Sequence, residues 1–97
     1  MVTSIEPGYY KENDYGIRIE NVALVVKDEE KSGEESAFYK FETLTLCPID
    51  LRLIKNELLS QEEMDWLNDY HKNIYDTLAS RLDKPEADWL KEATKDI

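Results

Sequence analysis

The stretch EPGYYKENDYGIRIENVALVVK (residues 6–27) decides the fold. Its second half, IRIENVALVVK (17–27), is dense in Ile and Val and reads as the strongest strand of the chain. Pro7-Gly8 follows the short, β-rich MVTSIE (1–6) and carries the Pro-then-Gly signature of a type II turn. KENDYG (11–16) reads as a polar loop. Strand side chains alternate, so Ile17, Ile19, Asn21, Ala23 and Val25 share one face, and Arg18, Glu20, Val22, Leu24 and Val26 the other. Both faces turn apolar toward the C-terminal end, which predicts a strand covered on both sides. Glu20 then sits at the edge of a buried surface, where a carboxylate is costly unless a cation or a metal neutralises it.

Outward from this stretch, DEEKSGEES (28–36) is a charged connector with no means of burying itself. AFYKFETLTL (37–46) reads as a third strand returning antiparallel to the second, ended by Pro48. The second half is helical. Ser60 followed by Glu63 forms a capping box. Met64, Leu67, His71, Ile74, Leu78 and Leu82 recur at helical spacing, with Trp66, Tyr70 and Tyr75 widening the stripe. Asp83-Lys84-Pro85 breaks it, and Pro85 suits the first turn of a short final helix from Glu86 to about Thr94. The expected fold class is α+β: about three β-strands, then a long and a short α-helix.

The 97 residues allow one domain with a modest core. A net charge of −10 gives no basic footprint, so neither nucleic acid nor an anionic membrane is an expected partner. No apolar run approaches the roughly 20 residues of a membrane span. Cys47 is the single cysteine, which excludes an internal disulfide and a thiolate cluster and fits a reducing, cytoplasmic setting. Cys47 has no basic neighbour and reads as a buried, inert thiol. The strand-like opening MVTSIE has no polar lead-in, as expected of an excised piece with Met1 internal.

Two acids carry the chemistry, and two ordinary readings compete for them. Arg18 and Glu20, two apart on one face, pair with each other or across the sheet. Glu6, before a turn, is a solvated strand-end residue. A pair of glutamates alone is a weak metal signal, because hard cations recruit several oxygen ligands.

EPGYY, a short loop and GIRIENV together resemble the last two metal-binding motifs of the pita-bread metallopeptidases. LTLCPID, EEMDWLNDYH and WLKEAT resemble the C-terminal extension of one branch, the Xaa-Pro aminopeptidases (aminopeptidase P). The two motifs alone also admit a prolidase-like dipeptidase. The resemblance implies that Glu6 ligates one ion of a dinuclear site and that Glu20 bridges both. The expected cofactors are two divalent ions, normally Mn2+, held only in the full-length enzyme. It implies that Arg18 is a supporting group contacting Tyr10. Two aspartates and a ligating histidine are expected upstream, and His71 is a packing or interface residue.

On this resemblance, residues 1–46 are the last strands of a catalytic domain and 47–97 its helical extension. The implied partners are the rest of the parent, a peptide with proline at the second position, and a second copy bound through the C-terminal helices. The chain alone is expected to hydrolyse nothing. A rival from another class is a non-catalytic structural or dimerisation module, and an acidic interaction domain rests on charge alone.

Overall fold

The computed structural model describes residues 1–31, 33 and 37–97, so part of the 28–36 connector lies outside the described residues. The chain divides into two compact units, Met1–Thr45 and Leu46–Ile97.

The first unit is five antiparallel strands: β1 Val2–Ile5, β2 Gly8–Lys11, β3 Tyr15–Arg18, β4 Asn21–Lys27 and β5 Tyr39–Thr43. β4 is central between β1 and β5, and β2 pairs with β3. The β4–β5 pairing is antiparallel, as the sequence predicts, and Asp28 N–H extends it by donating to Phe38 O at 2.7 Å.

Three expectations change here. The polar loop is a hairpin: β2 and β3 turn through Glu12–Asp14, with Asn13 left-handed (φ 57°), a conformation Asn tolerates better than most residues. Gly8 has no positive φ, which a type II turn would require, and it enters β2 directly. The single strand over 17–27 is two strands, interrupted at Ile19-Glu20 for a reason that lies in Pro7, given below.

β4 is also less covered than its composition predicts. Ala23 is fully buried, but Leu24, Val25 and Val26 are half-buried and Val22 is exposed. Among the described residues no helix belongs to this unit, so its sheet has no helical layer of its own there to bury a second face. Asp28, expected to be solvated, is buried and ordered: its Oδ1 accepts from Glu30 N at 3.1 Å and Lys31 N at 3.3 Å, closing a turn after β4.

The second unit is helical, with α1 Gln61–Leu78 and α2 Lys84–Ala93. The capping box forms: Ser60 Oγ accepts from Glu63 N at 3.1 Å and Glu63 Oε1 from Ser60 N at 2.9 Å. α2 starts the same way, which the sequence reading missed, with Glu86 Oε2 accepting from Asp83 N at 2.9 Å. The core is Leu67, Tyr70, Ile74 and Leu90, packed by Leu46, Ile49, Leu51, Ile54 and Ile97. The chain end is tied to α1, because Ile97 N donates to Asn68 Oδ1 at 3.0 Å. Trp66, Leu82 and Trp89 remain exposed, although Trp66 stacks on Tyr70 at 5.3 Å between centroids.

Candidate metal centre

The β1–β4 and β2–β3 ladders share one register. Val2 faces Leu24 and Ile5 faces Asn21 in the first, and Gly8 faces Arg18 and Lys11 faces Tyr15 in the second. The same register continued through the gap places Glu6 opposite Glu20 and Pro7 opposite Ile19. The Ile19 N–H donates to Pro7 O at 3.1 Å, as that pairing requires. Pro7 has no N–H to return, so the ladder loses one bond there and the strands divide without any residue being inserted.

Met1 O accepts from Val25 N, which makes the odd-numbered positions of the first arm the hydrogen-bonded pairs. Glu6 and Glu20 therefore form a non-hydrogen-bonded pair, the class in which opposed side chains come closest. They also share a face, because directly opposed residues of an antiparallel pair point the same way.

Two contacts fall on this face. Ser4 Oγ donates to Glu6 Oε2 at 2.9 Å, and Arg18 Nε lies 3.4 Å from Glu20 Oε2. Beyond them Tyr10 lies across two glycines: a Cβ on Gly8 would sit 2.7 Å from the Tyr10 hydroxyl, and one on Gly16 would sit 2.7 Å from Tyr10 Cδ1. The glycines leave room for the ring to cover the strand pair, and its hydroxyl end rests at the Gly8–Arg18 pair. Arg18 makes its ion pair with Glu20.

Glu20 is exposed, not buried, with its side chain 41% accessible. The apolar run starts only at Val22, two pairs beyond it, and among the described residues this unit holds no helix to cover the carboxylate face. The donor set is two hard carboxylates on one face, which suits a divalent cation such as Mn2+. It is incomplete: among the described residues no group of three or more His, Cys, Asp or Glu side chains gathers as a metal site.

The other singled-out residues belong to the second unit. His71 is fully buried in the helical unit, with Nε2 accepting from Ile49 N at 3.0 Å. Among the described residues its Nδ1 has no partner, and burial pushes its pKa below the ordinary 6.5. Cys47 is exposed, which corrects the buried-thiol reading: Tyr70 Oη holds the Cys47 backbone, donating to its O at 3.0 Å, while the thiol stays outside. Ser4 was missed, and its signal was available, since a hydroxyl two residues before an acid on a strand shares its face.

The chain matches the family model for the C-terminal region of peptidase_M24 over residues 37–97. It is 41% identical to aminopeptidase P1 of Arabidopsis thaliana and 40% identical to Xaa-Pro aminopeptidase 2 of Homo sapiens. Each match takes in all of this chain and 15% of the relative, so the chain spans about one-seventh of those proteins. Among solved structures it resembles the X-prolyl aminopeptidase of Caenorhabditis elegans, described as a cytosolic enzyme with a di-nuclear active site. That likeness has a TM-score of 0.84 and 39% identity, over 99% of this chain and 16% of that one. With the family model covering more than half of it, the chain belongs to the peptidase_M24 C-terminal region family, in the part that Xaa-Pro aminopeptidases carry at their C-terminal end.

Proposed function

We propose that this chain serves a dinuclear-metal Xaa-Pro aminopeptidase, supplying Glu6 and Glu20 to the site that hydrolyses the N-terminal peptide bond before proline. The observation that carries the reading is the opposition of Glu6 and Glu20 on one face of an unbroken antiparallel register. Like charges placed directly opposite are unfavourable alone, and a divalent cation between them reverses the sign. When bound, two such ions, with Mn2+ as the expected metal, supply an activated water and a Lewis acid for the scissile carbonyl.

The chain's own residues prepare that site. Glu6 and Glu20 would hold the ions, while Arg18 restrains Glu20 and Tyr10 covers the adjoining strand pair. The remaining ligands come from the rest of the parent protein. The aminopeptidase P relatives favour this reading over a prolidase-like dipeptidase.

The test is Glu20→Gln in the full-length parent, with bound metal counted after dialysis. Loss of metal is expected, and unchanged metal content overturns the assignment.

A second reading concerns the helical unit. Trp89 and Trp66 are 65% and 51% exposed, large apolar surfaces of the kind that homodimer contacts cover. The proposal is a homodimer through the C-terminal helices of a cytosolic parent. Light scattering of the parent carrying Trp89→Glu checks it, with a shift to monomer expected.

A further inference from the structure

Ser4 stands two residues before Glu6 on β1, so their side chains share a face. Its hydroxyl donates to Glu6 Oε2 at 2.9 Å, and the direction is fixed because an ionised carboxylate only accepts. Across the strand pair Arg18 stands two residues from Glu20 and takes Glu20 Oε2. Each of the opposed carboxylates thus has one oxygen engaged along its own strand. Among the described residues Oε1 of each accepts no hydrogen bond and stays available.

We propose that Ser4 is a positioning residue, whose hydroxyl fixes the rotation of the Glu6 carboxylate so that Oε1 is offered to the ion. The proposal rests on the reading of Glu6 as a metal ligand. The last torsion of a glutamate is broad and unfixed by rotamer preference, so an unrestrained carboxylate must be ordered as the metal binds. A hydrogen bond formed beforehand removes part of that cost. Ser4 and Arg18 do the same work for the two ligands, one with a neutral donor and one with a charged donor. The Ser4 hydroxyl leaves the negative charge of Glu6 to the metal.

The test uses the full-length parent with Ser4→Ala, Ser4→Thr and Glu6→Gln. Metal-free protein is titrated calorimetrically with Mn2+, and each apo form is melted. Ser4→Ala should weaken one of the two ions by about 10–100-fold, the usual effect of removing a group that orients a ligand. Ser4→Thr, which keeps the hydroxyl, should remain within about threefold of the parent, and the apo melting temperatures of the two Ser4 variants should coincide with the parent's. Parent-like affinity in Ser4→Ala overturns the proposal, as does equal weakening in Ser4→Ala and Ser4→Thr, which assigns the effect to packing. Glu6→Gln separates the two layers. If it keeps both ions, the ligand reading of Glu6 has failed. If it loses one while Ser4→Ala keeps both, only the role of Ser4 has failed.

Discussion

Ile19 donates its backbone N–H to Pro7 at 3.1 Å, and Pro7, lacking an N–H, donates nothing back. A hydrogen-bonded pair that should exchange two bonds exchanges one. The missing bond falls beside the Glu6–Glu20 pair, so the strands carry their closest opposed acids next to their weakest rung. Proline there removes a donor without shifting the register, and every side chain keeps its face.

Arg18 is the cation that pairs with an acid on this face among the described residues, at 3.4 Å from Glu20. In the metal-free chain, Arg18→Ala removes an exposed ion pair and leaves the two acids unscreened. The expected loss is about 0.5–1 kcal/mol, the sum of a surface pair and an opposed like-charge pair. Urea melts with and without millimolar Mn2+ check it. The loss should shrink when the cation is present, because the cation replaces the missing positive charge.

The two glycines under Tyr10 should respond unequally. An Ala methyl at Gly16 meets Cδ1, near the root of the ring, whereas at Gly8 it meets the hydroxyl end, which a small ring tilt moves away. Gly16→Ala is expected to cost about 1 kcal/mol and Gly8→Ala distinctly less, since Ala otherwise improves on Gly in a strand. Urea midpoints, with Tyr10 ring proton shifts as the local readout, decide between them.

What the sequence disclosed follows from which signals are local. Ser60 and Glu63 announced the start of α1, and Asp83-Lys84-Pro85 the break before α2, because caps and proline act within one turn. The Ile and Val run showed β4, and the return of β5 followed. The β2–β3 hairpin was hidden, since KENDYG is polar at every turn position and the Tyr9, Tyr10 and Tyr15 pattern is short. The division at Ile19-Glu20 was not visible in β4 at all, because its cause is a residue on the opposing strand. Trp66 fits the helical stripe by spacing yet stays exposed, since periodicity reports a face and not whether anything covers it. Glu6 and Glu20 were named by motif, while their opposition needed the pairing register.

His71 should make the helical unit acid-sensitive. Burial holds its folded-state pKa below the unfolded value, so as pH falls the unfolded chain takes up the proton first. Stability from this group is therefore complete above about pH 6.5 and declines as pH drops through 6.5 toward the folded pKa, by at most about 1.4 kcal/mol per pH unit. Protonation at Nε2 would also end its acceptance from Ile49 N. Urea midpoints between pH 8 and 5.5 should fall, and in His71→Gln they should be flatter over that window though lower at pH 8.

Ser60→Ala removes the acceptor for Glu63 N and leaves an orphan donor at the start of α1. Helix caps of this kind contribute about 1 kcal/mol. The change should appear in thermal melts followed by far-ultraviolet dichroism.

The chain by itself should bind Mn2+ weakly and cleave nothing. Two carboxylates offer at most four oxygens, and hard divalent cations take about six ligands. The described residues bring no third acid or histidine to the pair. An isolated site of this kind binds in the millimolar range and cannot fix two ions, so it offers no bridging position for an activated water. Purified chain incubated with an Xaa-Pro dipeptide and added Mn2+ should show no release of the first residue, while the full-length parent under the same conditions should. Turnover by the chain alone would mean that the chemistry needs neither the missing ligands nor the opposed glutamates in the role assigned to them.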